Sequence, residues 1–166
     1  MSAPVVILNT VVLGALQRLT IWNSKISEIK IDWESKERRD VICTSSPGFK
    51  QLSAVHIVRL EGPTDLTWLL FAENLRILSV SGPSSIEEII NREKGMSIST
   101  VHPDIVVPFE KLELLTARDL DELKSICCDP PALPNLRQFY FEGCPKLPKA
   151  ATEYLRHAWK DVEGGF

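Results

Sequence analysis

Apolar residues recur along the chain on one ruler, L-x-x-L-x-L-x-x-(C/L)-x-x-L-x-x-(L/I), which can be laid down several times in succession. The last copy reads Leu136, Phe139, Phe141, Cys144, Leu147 and Ala150, and the copy before it Leu112, Leu115, Ala117, Leu120, Leu123 and Ile126. Upstream the ruler gives Leu75, Leu78, Val80, Pro83, Ile86 and Ile89, preceded by Leu52, Val55, Ile57, Leu60, Pro63 and Leu66. The start-to-start distances within these two pairs are 24 and 23 residues. A first, less regular copy begins Leu16, Leu19, Ile21 and Ser24, with Ile26 and Ile29 displaced by a residue.

The spacing has a physical cause. Side chains of an extended segment alternate faces, so the fourth and sixth template positions point the same way, into a core, and their neighbours point out. One such strand cannot bury its apolar row alone, but strands from successive repeats can stack as a parallel ladder about 4.8 Å apart. The pattern therefore predicts an α/β leucine-rich-repeat solenoid: a short horseshoe with a parallel β-ladder on its concave face and a C-terminal capping helix. It forms one domain over 1–166, with repeats starting near 16, 52, 75, 112 and 136. At the ninth position, where Asn or Cys is usual, only Cys144 conforms; Leu60, Pro83 and Leu120 do not. With no G-x-I-P signature, the copies read as the irregular class of these repeats rather than the extracellular one.

Two stretches exceed one period. Residues 32–48 are charged and then rich in Ser, Pro and Gly, and 91–107 carry Gly95, Ser97, Ser99, Thr100 and Pro103 with little apolar period. Both read as exposed insertions, the second as the most mobile internal segment. After Pro148, the residues Ala151, Tyr154, Leu155, Ala158 and Val162 recur at helical spacing, predicting the capping helix over 149–162.

Composition narrows the function. A net charge of −3 with no basic tract interleaved with aromatics excludes nucleic acid as a partner. The four cysteines, Cys43, Cys127, Cys128 and Cys144, have neither the C-x-x-C spacing of zinc and redox sites nor the density of a secreted scaffold. The apolar start, 5–8 and 11–16, lacks the basic flank and cleavage site of a leader. No N-x-[ST] acceptor occurs, and no apolar run reaches the ~20 residues of a membrane span. These features predict a cytoplasmic protein without a membrane span.

The stretch from Leu66 to Leu75, LTWLLFAENL, followed by Ile86, Glu87, Glu88, Ile89 and Ile90, resembles a block of plant coiled-coil nucleotide-binding leucine-rich-repeat disease-resistance proteins. Later blocks agree: Val107, Pro108 and Phe109 with Leu112 and Leu115; Leu123 to Ile126; Leu133 to Leu136; and Gly143 to Leu147. The resemblance covers roughly residues 49–150 and identifies these as the C-terminal repeats of such a receptor. It implies an innate immune role, sensing a pathogen effector or a guarded host protein and regulating a nucleotide-binding switch; that switch domain in a related receptor is a further candidate partner. No G-x-x-x-x-G-K-[ST] phosphate loop is present, so the family's ADP/ATP site would lie in a domain missing from this chain, and no cofactor is expected.

On a ladder of this kind the outward strand residues form the concave face: Arg18, Thr20, Trp22, His56, Val58, Arg59, Ser79, Ser81, Thr116, Arg118, Gln138, Tyr140 and Glu142. They are the candidate partner-binding residues, because separate repeats present them as one preformed surface that includes Trp, Tyr and Arg. Any single member is more economically a solvated strand residue; the set carries the expectation. No catalytic or metal-binding residue is expected. His56, His102 and His157 fall on a strand, a loop and a terminal helix with no nucleophile motif, and Cys127 and Cys128 are neighbours that face opposite ways on an extended chain. The Glu87, Glu88 pair lies beside the convex return, and Trp33, Trp68 and Trp159 read as core or cap residues. The rival readings are a ubiquitin-ligase substrate adaptor, for which there is no room for a helical adaptor-binding box before Leu16, a small enzyme, which a pocket with converging His, Cys and carboxylate groups would reveal, and a truncated remnant without independent activity.

Overall fold

The computed structural model describes residues 3–10, 12–32, 48–101, 109–127, 133–154 and 156. The chain is α/β with parallel sheets. Strands β1 (Val5–Asn9), β2 (Arg18–Lys25), β3 (Glu28–Asp32), β4 (Ala54–Glu61), β5 (Ile77–Ser81), β6 (Leu114–Arg118) and β7 (Gln138–Glu142) are joined by a 3-10 helix at Thr67–Phe71 and a helix α1 at Arg92–Val101. Five of them form one parallel sheet in the order β2-β4-β5-β6-β7.

The register follows the apolar ruler. Leu19, Val55, Leu78, Leu115 and Phe139 align across the five strands, as do Ile21, Ile57, Val80, Ala117 and Phe141 two residues on. In the three inner strands these side chains are at most 2% exposed, whereas Leu19, Ile21, Phe139 and Phe141 on the two edge strands are half-buried. Each strand start is fixed in the same way. The carbonyls of Gln17, Ser53, Arg76 and Glu113 each accept hydrogen bonds from two successive N–H groups of the next strand, at 2.8–3.2 Å. Beside them, Asn74 Nδ2 donates to the Lys50 carbonyl at 2.7 Å, and Asn135 makes the same bond to Glu110.

At or near the strand ends the copies share a second device. Asn23, Arg59, Gly82, Asp119 and Gly143 occupy one register position, and all have positive φ, from 49° to 82°. In β5, β6 and β7 the left-handed residue directly follows the strand, whereas between β2 and β4 pairing resumes beyond it at Ser24–Leu60 and Lys25–Glu61. The conformation costs about 1–2 kcal/mol at each of the three that are not glycine. The glycines answer their neighbours: a Cβ at Gly82 would stand 2.8 Å from Arg59 Cγ, and one at Gly143 would stand 2.6 Å from Asp119 Oδ1.

The opposite, return side of the stack is less continuous. There β1 pairs in parallel with β3, and further along isolated parallel bridges join Asp65 to Glu88 and Glu88 to Ser125. Between these two pieces lies a cavity of about 560 Å³, lined by β3, by Gly62–Asp65 and Trp68, and by Lys94 and Ile98 of α1.

Several expectations change. The apolar start is strand β1, held against β3, and neither strand was anticipated. The segment 91–107, expected as a loop, is helical over Arg92–Val101. Asn91 caps it, its Oδ1 accepting from Lys94 N–H at 3.0 Å, and Gly95 faces Leu70 and Ile90 at a distance where a Cβ would make ordinary contact, 3.6–3.7 Å. Two template positions, Pro83 and Ala150, are exposed rather than core. Residues 149–154 are helical, as is 156, while the rest of the expected capping helix and residues 33–47 of the first insertion lie outside the described residues. Trp68 is core, 6% exposed; Trp33, Trp159, His102, His157, Cys43 and Cys128 lie outside the described residues. Among the described residues, no helix is long and apolar enough to cross a membrane.

Candidate functional site

The outward residues of the sheet fall into three rows. Thr20, His56, Ser79, Thr116 and Tyr140 are aligned across the strands, and the next row holds Trp22, Val58, Ser81, Arg118 and Glu142. Arg18 and Gln138 stand at the two ends of a third row, with Ala54, Ile77 and Leu114 between them; sequence reasoning missed these three, although strand alternation places them there. Arg59 stands just beyond the second row, in the left-handed position, its side chain lying over Gly82. None of the thirteen candidates is buried, so the alignment makes them one accessible face.

The face has a relief. Small or half-buried residues, Val58, Ser79, Ser81 and Thr116, fill the middle beside His56 and Arg118, and the two aromatic side chains stand on the edge strands. Trp22 on β2 is 71% exposed and Tyr140 on β7 is 53% exposed. Their strands are four steps apart in the sheet, roughly 19 Å at the usual parallel spacing. Large amphipathic rings at both ends of a shallow trough with hydroxyls along it can grip an apolar anchor at each end and hydrogen-bond between them. The row that joins His56 to Thr20 and Ser79 contains no carboxylate, and among the described residues no hydrogen bond links the imidazole to either hydroxyl.

The last strand adds a cavity of about 700 Å³. It is lined by Arg118, by all of β7 from Gln138 to Glu142, and by Arg156 from the terminal helical turn. Residues of both faces of β7 line it, so the cavity wraps round the open edge of that strand. Arg118 Nε lies 3.6 Å from Glu142 Oε2, both side chains mostly exposed. Arg156 was not among the sequence candidates, because helical periodicity says nothing of which strand a terminal turn will overhang.

The perturbed groups lie off this face. Burial raises the pKa of Asp65 on the return side, but hydrogen bonds from Lys94 and Thr67 outweigh it and hold the carboxyl below its ordinary value. Burial pushes the Cys144 thiol up, and its Sγ donates toward the Ala117 and Glu142 carbonyls at 3.6 Å, the contacts of a turn residue. Among the described residues, no three His, Cys, Asp or Glu side chains are grouped as a metal site would need.

Comparison with known proteins agrees with the setting expected from the sequence. The chain is 71% identical over 95% of its length to the probable disease resistance protein At1g15890 of Arabidopsis thaliana, and 60% identical over 89% to the probable disease resistance protein At5g43730 of the same plant. A third, the probable disease resistance protein At5g43740, is 56% identical over 90% of the chain. The chain spans only 17–19% of the length of these relatives. No family model matches it. No solved structure matches it either.

Proposed function

We propose that the chain is the leucine-rich-repeat solenoid of a plant disease-resistance receptor and acts by binding a protein on the concave side of its five-stranded sheet. The partner is a pathogen effector or a guarded host protein, and its capture is relayed to a nucleotide-binding switch elsewhere in the receptor, inside the cell. The observation that carries this reading is the pair of complete outward rows, from Thr20 to Tyr140 and from Trp22 to Glu142, in register over five strands. Repeat proteins build their extended recognition surfaces in this way, each repeat contributing one or two side chains. The relatives' names as disease resistance proteins supply the biological setting. No catalytic group and no cofactor is called for.

The test replaces Trp22, His56 and Tyr140 together with Ala in a receptor carrying this segment. The expected outcome is loss of the leaf defence response with unchanged receptor abundance, and an unchanged circular-dichroism spectrum for the same triple variant of this chain. A full response from the triple variant would refute the face as the recognition surface.

A further inference from the structure

Ion pairs are distributed unequally over the two sides of the stack. On the return side the carboxylates of Asp65, Glu87 and Glu122 each hold a lysine: Lys94, Lys124 and Lys146 respectively. On the outward face and its rim the cations are arginines, and among the described residues no carboxylate pairs with Arg18, Arg59 or Arg156. Only Arg118 has a partner, Glu142, and that pair is long and exposed. Among the described residues Arg18, Arg59 and Arg156 thus stand without a carboxylate partner on the side proposed for binding, which also carries Asp119 and Glu142.

Two of the arginines meet at one place. Arg118 and Arg156 line the 700 Å³ cavity at the β7 edge together with Tyr140, whose ring is half exposed, and with Glu142, the long-range partner of Arg118 that an incoming carboxylate displaces. A guanidinium binds a carboxylate through two parallel N–H···O bonds, and two of them beside an aromatic ring make a receptor for an acidic side chain with an apolar stem. We propose that the partner of this face is an acidic protein segment, one of whose Asp or Glu side chains enters the β7 cavity between Arg118 and Arg156 and stacks its stem on Tyr140. Arg18 and Arg59 meet further carboxylates of the same segment along the face. This assignment rests on the reading of the face as a protein-binding surface and adds the chemistry of what it binds.

Fluorescein-labelled decaglutamate and decalysine are the probes, with fluorescence anisotropy as the readout on the whole chain. Decaglutamate is expected to bind with an affinity that falls as salt is raised, and decalysine is expected not to bind. Arg118→Ala with Arg156→Ala should weaken decaglutamate roughly ten-fold or more. Lys50→Ala with Arg92→Ala, which removes the same charge away from the face, should leave it unchanged, and Arg118→Glu with Arg156→Glu should reverse the preference toward decalysine. Absence of decaglutamate binding, equal binding of both peptides, or equal losses in the two alanine pairs would overturn the proposal. If decaglutamate fails while the Trp22, His56 and Tyr140 triple variant still silences the receptor, the acidic assignment falls and the recognition face stands. If the triple variant responds normally, the recognition reading itself falls.

Discussion

The sheet side of this stack is continuous and the return side is not. The sheet register passes unbroken from β2 to β7 although the connections between strands differ widely in length. The return side divides into the β1–β3 pair and a short line of bridges at Asp65, Glu88 and Ser125, with a cavity between them. A parallel strand must satisfy both neighbours' backbone groups, so its alignment tolerates no slip. A connection on the far side meets no such demand, and extra residues are absorbed there at low cost. The continuous surface is the one on which the proposed recognition rests, and the differences in connection length fall on the other side.

The comparison breaks most severely in the centre of the continuous side. Leu78, fully buried on the middle strand, should cost about 3–4 kcal/mol of unfolding free energy when replaced by Ala, read by urea titration. A loss below about 1 kcal/mol would mean that the row does not close over a shared core. On the return side, the Asp65 carboxyl with Lys94 and Thr67 ties α1 to the turn after β4. Its folded pKa is depressed, so its contribution is present above the unfolded value, near 3.8, and is lost as pH falls through the folded one. Asp65→Asn should therefore reduce stability at neutral pH and flatten the acid limb below about pH 4, measured by thermal melts from pH 2 to 7. The smallest effect sharpens the comparison. Arg59→Gly removes a left-handed arginine from the strand-end column and should change stability by no more than about 1 kcal/mol, in the stabilising direction if backbone strain outweighs the packing of its stem over Gly82.

The regular side was legible in the sequence and the irregular side was not. Val55, Leu78, Leu115 and Phe139 fall on one ruler, and the outward residues follow from alternation alone. The strand-end column escaped notice because Asn23, Arg59 and Asp119 are not glycines, and residue type signals a left-handed backbone reliably only for Gly. Strand β1 was hidden because its pairing with β3 joins separate parts of the chain outside the repeat frame, and β3 lies where the first copy departs from the ruler. Helix α1 was hidden because Gly95 interrupts it and Ser97, Ile98, Ser99 and Thr100 are weak helix formers; packing against Leu70 and Ile90 and the Asn91 cap offset that propensity. Arg156 became part of the candidate site through tertiary packing that no local pattern encodes.

The central claim is that outward residues far apart in sequence stand side by side on one face. Ser79 and Thr116 are the strictest case, since α1 and residues outside the described set lie between them. Ser79→Cys with Thr116→Cys should form a disulfide on mild oxidation, identified by peptide mass mapping, because directly opposed positions are about 4.8 Å apart. Ser81→Cys with Thr116→Cys, displaced two residues along the strand to about 8 Å, should not. A crosslink in the displaced pair and none in the aligned pair would contradict the register, and with it the face on which the proposed recognition depends.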